Sequence, residues 1–488
     1  MIPESVNSVG NLLTVPINGN QSETVYSRSE CSYTNLSERF KHEADFTRQF
    51  AHIYAVRLDK MRNIILKKAH KKWGADVKVR KLFELAEEES RKCVVIGTLF
   101  KHQVLKPSIL KEISEENLSS TNLNNSVQLY SLGKNISWPH SHQEPWYVDD
   151  TDELILEDEL QRIRLIGKLD VHSVVTGVVC AVFGHEEGDG KFIVDDYCWA
   201  GLSERISRPL ETNEERFVVF LSGLDLANSG DILLPLQLLV DWIGGFLGGT
   251  EEQEHQAHVV RVIIAGNSIR GCADHKVPEL LNSYKTCDKD TTSVETIKLL
   301  DDFIVQLTKS VDVDLMPGEF DPASHMMPQQ PLHYCMFPQA SLYKTFHGVT
   351  NPYECEIGGR RILGTSGQPI DDIAKFSKTS DPLNMLQNTL EWAHLAPTCP
   401  DTLSTYPYHK EDPFVISEYP DIYFAGNQPE YQTKLYEGPG GERIRLVCIP
   451  AFSKTHSCVV VNLNTLECYP MNFGTYNPTE GELRYLRK

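Results

Sequence analysis

The chain has 488 residues, 41% of them hydrophobic, and its 47 Lys and Arg against 67 Asp and Glu give a formal net charge of −20. That length exceeds what one hydrophobic core supports and implies two or three domains, while the apolar content separates the chain from disordered acidic proteins. Proteins that grip nucleic acid mainly through phosphates are usually basic in the gripping domain, so a strong independent DNA binder is not expected, and a local basic patch is left open.

The N-terminus has no charged start followed by an apolar core, so no secretory signal is expected. Residues 1–34 are polar and aperiodic and read as a flexible tail. From residue 35, Phe40, Phe46, Phe50, Ile53, Tyr54, Val56, Leu58, Met61, Ile64 and Ile65 recur at helical spacing among Lys and Arg. This predicts one or two amphipathic helices before residue 73, within an N-terminal helical segment spanning 35–91. The run Lys67, Lys68, His70, Lys71 and Lys72 reads as a solvated helix end, with contact to phosphate as the competing reading.

Residues 92–205 have β texture. Strand patterns at 93–100, 153–157, 161–167, 174–183 and 191–194 are separated by turn residues, and a Ser- and Asn-rich insertion occupies 114–137. Residues 185–190 have the composition of a hairpin turn. Five short strands with one long excursion fit a small closed barrel of the OB type. Such barrels often hold single strands on exposed aromatics in a basic groove. These strands carry few outward aromatics and many acids, which favours a structural or protein-binding role over single-strand binding.

After a polar linker, residues 216–488 alternate strand and helix. Strands are expected at 217–225, 259–265, 314–321, 361–368, 421–426, 444–449 and 458–462, and helices at 232–248, 292–311 and 381–395. Asp381 suits an N-cap, with Pro382 in the first turn. The alternation indicates a layered α/β sandwich. The most apolar segment, 232–249, is broken by Pro235, Gln237 and Asp241 and reads as a core helix, not a membrane span. The 12 cysteines include no Cys-x-x-Cys pair and read as free thiols in a reducing compartment.

In open α/β sheets ligands bind at the carboxyl ends of strands, so the ends of these runs are where chemistry is sought. The β-branched run 259–264 leads into Ala265, Gly266 and Asn267. A bridging carboxylate after that glycine would offset the repulsion of two divalent cations; a neutral amide does so poorly.

The series at 220–224, 264–267, 316–322, 363–368, 394–398 and 420–427 resembles the small B-subunit family of replicative B-family DNA polymerases, its delta-type members most closely, from about residue 38 to the end. The resemblance implies an α+β multidomain fold: an OB-fold barrel packed with a calcineurin-like metallophosphoesterase sandwich that has lost catalysis, plus the N-terminal helical segment. A working enzyme of that fold needs Asp-x-His, Gly-Asp, Gly-Asn-His-Asp or Glu, and Gly-His-x-His at successive strand ends, to hold two metals about 3.5–4 Å apart.

The four ends here supply Ser222, Gly223 and Asp225 without a histidine; Gly266 and Asn267; Gly318, Glu319, Phe320 and Asp321, with phenylalanine in place of an imidazole; and Gly426, Asn427, Gln428 and Pro429, with both histidines replaced. Too few ligands remain for two metals, and no cofactor is expected. Asp225, Glu319, Asp321 and His394 are open to two readings: a weak single-metal site, or hydrogen-bonded caps and turn residues, with His394 capping the end of its helix. The turn at 364–367 lacks the nucleophile-elbow order, and that at 438–441 lacks the Lys-Ser or Lys-Thr of a phosphate loop.

The resemblance implies a non-catalytic nuclear scaffold of DNA polymerase delta. It would hold the cysteine-rich C-terminal region of the catalytic subunit and a third subunit, reach the sliding clamp through the holoenzyme, and touch DNA at most indirectly. The competing expectations are a surviving metal-dependent phosphodiesterase or nuclease, and a single-stranded DNA-binding barrel.

Overall fold

The computed structural model describes residues 26–42, 47–87, 91–106, 146–187, 190–201, 209–210, 214–228, 230–271, 286–438 and 441–474. The expected polar insertion at 114–137 and the whole of 1–25 lie outside them. A short strand, β1 (Tyr33–Asn35), and one 3-10 turn precede the long helix α1 (Ala51–Trp73), so the predicted helical stretch is a single helix that begins later than its apolar spacing suggested. Phe40 had contributed to that spacing, but it is buried from the 3-10 turn instead.

The barrel follows: β2 (Val79–Arg80), β3 (Cys93–His102), β4 (Glu153–Glu157), β5 (Arg162–Gly167), β6 (Val179–Glu187) and β7 (Lys191–Trp199). The hydrogen-bonded order β2-β3-β4-β5-β7-β6 closes through β3 and β6. Leu154, Leu156, Ile163 and Leu165 point inward, while their charged neighbours face out and pair across strands, as Arg164 does with Glu153 at 2.8 Å. The expected turn at 185–190 is shorter: His185, Glu186 and Glu187 continue β6 opposite Ile193, Phe192 and Lys191. Backbone pairing with β7 overrides their turn-like composition.

Helix α1 lays Leu58, Met61, Ile65 and Ala69 on Val94 and Ile96 of β3 and Val179 and Ala181 of β6. At about 1.5–3 kcal/mol for each fully buried large apolar side chain, this face fixes the helix against the barrel. Ala393 and Val415 join the same cluster, so the helix also touches the second half of the chain.

That half comprises β8 (Phe217–Leu221), α2 (Leu233–Ile243), α3 (Thr250–Ala257), β9 (Val259–Ala265), α4 (Thr286–Thr308), β10 (Asp312–Met316), β11 (Phe346–Gly348), β12 (Tyr353–Ile357), β13 (Arg360–Thr365), α5 (Gln368–Phe376), α6 (Pro382–Glu391), β14 (Ile422–Gln428), β15 (Gln432–Glu437), β16 (Arg443–Pro450), α7 (Phe452–Thr455), β17 (Ser457–Asn462) and β18 (Cys468–Asn472). Two six-stranded sheets result, β1-β12-β13-β14-β16-β15 and β11-β10-β9-β8-β17-β18. Their facing sides share one core that includes Phe220, Ile263, Tyr353, Phe424 and Val447. Helices α2 and α4 cover the outer face of one sheet and α5 and α6 that of the other. Every residue of β8 and β9 is buried, which is why these strands read as near-continuous apolar runs, broken only by Arg261.

Asp381 caps α6, accepting the Leu383 N–H at 3.3 Å. The helix stops at Glu391 because Ala393 takes a left-handed conformation, φ 56°, so His394 and Leu395 lie outside it. The sequence reading omitted β1, β2, β11, β12, β15 and β18 and the helices α3, α5 and α7. Helix α5 starts directly after the glycine turn at Gly367, where a helix N-terminus and a loop look alike. Among the described residues no helix is long and apolar enough to cross a membrane.

Candidate functional site at the strand ends

Strands β8, β9 and β10 run parallel in one sheet and β13, β14 and β16 in the other, so their carboxyl ends gather at one edge of the sandwich. Backbone bonds join neighbouring ends directly: Gly223 N–H to the Gly266 carbonyl at 2.9 Å and Asp225 N–H to that of Asn267 at 3.1 Å. The two sheets are joined by side chains. Ser222 Oγ donates to the Pro450 carbonyl (3.1 Å) and accepts the Asn427 N–H (2.9 Å). Asn427 Nδ2 donates to the carbonyls of Ala265 (3.1 Å) and Ser366 (2.7 Å).

The approach is close enough to demand glycine. A Cβ on Gly266, whose φ is +80°, would lie 2.6 Å from Ser366 Cβ and 2.8 Å from Gly318 Cα, and one on Gly318 would lie 2.2 Å from the Asn267 nitrogen. Asp225, Asn267 and Asn427 have φ of 47°, 54° and 57°, a left-handed geometry that Asn and Asp tolerate better than other side-chain-bearing residues.

The sequence-predicted positions therefore come together, apart from one, but as a hydrogen-bonded plug. Buried Asp321 accepts the N–H groups of Ile269 (2.8 Å), Gly318 (2.9 Å) and Ser268 (3.2 Å). Burial pushes its carboxyl up from the ordinary range while those N–H groups pull it back. Asn267 Oδ1 accepts the Phe320 N–H at 3.2 Å, and Asp225 accepts the Gly271 N–H at 2.9 Å and the Asn228 amide. Gln428 Nε2 donates to the Gly426 carbonyl at 2.9 Å, while Glu319 and Pro429 are exposed at the rim.

Sequence reasoning missed the layer beneath. Asn351 Nδ2 lies 2.8–2.9 Å from Gln329 Oε1, Ser366 Oγ and Gln368 Oε1, and Gln329 Nε2 donates to the Gly318 carbonyl at 2.9 Å. The glycine turn before Gln368 was the one visible signal; Gln329 and Asn351 are neutral amides in loops with no periodicity to mark them.

His394 is the exception. It does not join Asp225, Glu319 and Asp321, but its backbone N–H caps the end of its helix, donating to the Thr389 carbonyl at 3.0 Å past left-handed Ala393, while its ring turns to other partners. Its Nε2 lies 2.9 Å from Asp412 Oδ2 and its Nδ1 accepts the Ala396 N–H at 3.2 Å, which fits a neutral Nε2–H ring. The same Asp412 oxygen accepts Arg57 Nε at 2.7 Å, and the Arg57 guanidinium also donates to the carbonyls of Gly177 (3.1 Å), Pro397 (2.9 Å) and Cys399 (2.7 Å). This buried triad sits where α1, the barrel and the sandwich meet. Burial, helped by the Arg57 charge, lowers the His394 pKa to about 4 against the pull of Asp412. Burial would raise Asp412, but Arg57 and His394 hold it well below the ordinary carboxylate range.

Among the described residues no three His, Cys, Asp or Glu side chains are placed to hold a metal ion together. A cation at the strand ends would meet neutral amides, an Asp321 carboxylate already bound by three backbone N–H groups and an Asp225 carboxylate already bound by Gly271 N–H and the Asn228 amide, with Glu319 turned out at the rim. Displacing those donors would leave them buried and unpaired, a cost of about 1–3 kcal/mol each.

Family models match two regions of the chain: residues 49–197 match the OB-fold domain of the DNA polymerase delta subunit, and 218–433 match the B subunit of DNA polymerase alpha/epsilon. The chain is 42% identical over 448 residues to DNA polymerase delta subunit 2 of Drosophila melanogaster, covering 91% of this chain and 98% of the relative. It is 42% identical over 459 residues to the DNA polymerase delta small subunit of Arabidopsis thaliana, covering 93% and 98%. With that of Oryza sativa subsp. japonica it shares 40% over 451 residues, covering 92% and 99%.

Proposed function

The chain belongs to the DNA polymerase delta small-subunit family, and from that premise we propose that it is a non-catalytic scaffold within the polymerase, bridging the cysteine-rich C-terminal region of the catalytic subunit and a third subunit. In this reading residues 92–205 form the OB-fold domain and 216–488 a calcineurin-like phosphoesterase domain that has lost its chemistry, with 35–91 the helical segment. The assembly works in the nucleus and meets the sliding clamp through the holoenzyme.

The observation that supports the reading most is the plug at the strand ends. Where a two-metal phosphoesterase gathers carboxylates and imidazoles, this chain gathers Asn267, Asn427, Asn351 and Gln329, whose amides satisfy one another and the backbone. Such a network holds two sheets rigidly together and offers little to a cation. A rigid joint suits a scaffold, because partners that bind across both sheets of the sandwich gain affinity from surfaces already ordered.

Co-expression with the catalytic subunit's C-terminal region, followed by size-exclusion chromatography with mass determination, tests this. A stable equimolar complex is expected; two separate folded peaks would refute it. Hydrolysis of a phosphodiester by the purified chain with manganese should not exceed a metal-free blank. Turnover abolished in Asp321→Ala would favour the enzyme reading instead.

A further inference from the structure

Residues 60–81 carry nine Lys and Arg against a single acid, Asp76, in a chain whose net charge is −20. They form the C-terminal half of α1 and the segment leading into β2. Arg62 is paired with Glu159 (2.6 Å), Lys72 with Asp196 (2.6 Å), and Lys81 lies 3.8 Å from Glu159. The side chains of Lys67, Lys71 and Lys78 are exposed and have no ion-pair or hydrogen-bond partner among the described residues. Lys67 and Lys71 stand one turn apart on a single face, about 6 Å along the axis, with Lys60 two turns earlier on the same face.

Like charges at i, i+4 weaken a helix. The helix dipole accounts for cations in the last turn but not for Lys60, Lys67 or Lys78. We infer that this stripe is a docking surface for the phosphate backbone of double-stranded DNA. It rests on the reading of the chain as a polymerase subunit and adds to it a direct, sequence-independent contact.

The composition suits sequence-independent phosphate contact better than a protein interface. Seven of the nine cations are Lys, point charges that neutralise phosphates without demanding bidentate geometry. Protein interfaces deplete Lys and need a buried apolar anchor. Among the described residues no large apolar side chain between 51 and 82 is exposed. One strand of duplex presents a phosphate about every 3.4 Å of axis, so the span from Lys67 to Lys71 covers about two.

The test compares the full chain, in complex with the catalytic subunit, with a Lys67→Ala, Lys71→Ala, Lys78→Ala variant of the same complex on a mixed-sequence DNA duplex. All three side chains are exposed, so the fold and the assembled mass should not change. Each lost phosphate contact lowers the slope of log affinity against log salt by about 0.9, so the slope should fall by about 2.7. The affinity lost between about 50 and 200 mM salt should then shrink about forty-fold. An unchanged slope in an intact complex overturns the inference, as does a variant that binds DNA normally but loses a protein subunit from the assembly. If the chain does not assemble, the scaffold reading fails by itself. The same titration on the isolated chain at low salt then decides the stripe: weak duplex binding lost in the variant supports it, and no binding overturns it.

Discussion

At the scale of single residues, His394 is a pH-dependent element of stability. Its ring is neutral in the fold, with the pKa lowered from 6.5 to about 4 by burial and then by Arg57. Below pH 6.5 the unfolded chain takes up a proton that the folded chain refuses, so stability is full above that pH and declines toward pH 4. The loss reaches about 3 kcal/mol, at 1.36 kcal/mol per unit. Denaturant midpoints measured across this window should fall in the native chain and fall less steeply in His394→Gln. Asn427 makes a second residue-scale test. Asn427→Ala removes two donated bonds and leaves a φ of 57° to a residue that resists it, at an expected cost of about 2–4 kcal/mol. Asn427→Gly loses the same bonds without the strain and should be the less destabilised of the two by about 1 kcal/mol. The Gly266–Asn267 end was readable from sequence because a β-branched run followed by Gly-Asn is a local pattern. Arg57 was not, since a charged residue in an amphipathic helix looks the same whether it faces water or a buried aspartate.

Among the elements, residues 26–35 act as a strap across both sheets. The Arg28 guanidinium donates to the carbonyls of Ile243 (2.6 Å), Val259 (2.8 Å) and Gln256 (3.3 Å), two of which lie at the ends of α2 and α3. A cation there satisfies last-turn carbonyls and opposes the negative end of each helix dipole. Farther along, β1 pairs with β12, and the Arg261 guanidinium stacks 3.6 Å from the Tyr33 ring while bonding Asp314 at 2.6 Å. Arg28→Ala should cost about 1.5–3 kcal/mol. Hydrogen exchange should show it by faster exchange at the carboxyl end of α2 and in α3, with the barrel unchanged. The strap escaped sequence analysis because one Arg and three strand residues have no periodicity; its order comes from contacts more than 200 residues away.

At the scale of the molecule, barrel and sandwich behave as one body. A single apolar cluster runs from Leu99, Leu156 and Phe192 of the barrel to Ile373, Leu386 and Tyr423 of the sandwich, and the Arg57 triad lies beside it. Calorimetry should therefore show one cooperative unfolding transition in place of two. Arg57→Ala strands Asp412 in the interior, with an expected loss of about 3–5 kcal/mol, and should split or broaden that transition. A transition that stays single and unshifted would mean that the joint contributes little.

The sequence by itself determined five of the six barrel strands and the parallel strands whose ends gather at the candidate site, because alternation, β-branched runs and strand-end glycines are written in neighbouring residues. Only the tertiary structure decided what fills that site and what joins the two halves. Neutral amides from Gln329, Asn351 and Asn427 meet Ser366 there across loops whose composition shows no pattern. His394, grouped with the strand-end acids by chemistry alone, went instead to Arg57 and Asp412, because a buried imidazole takes the hydrogen-bond partners that packing brings to it.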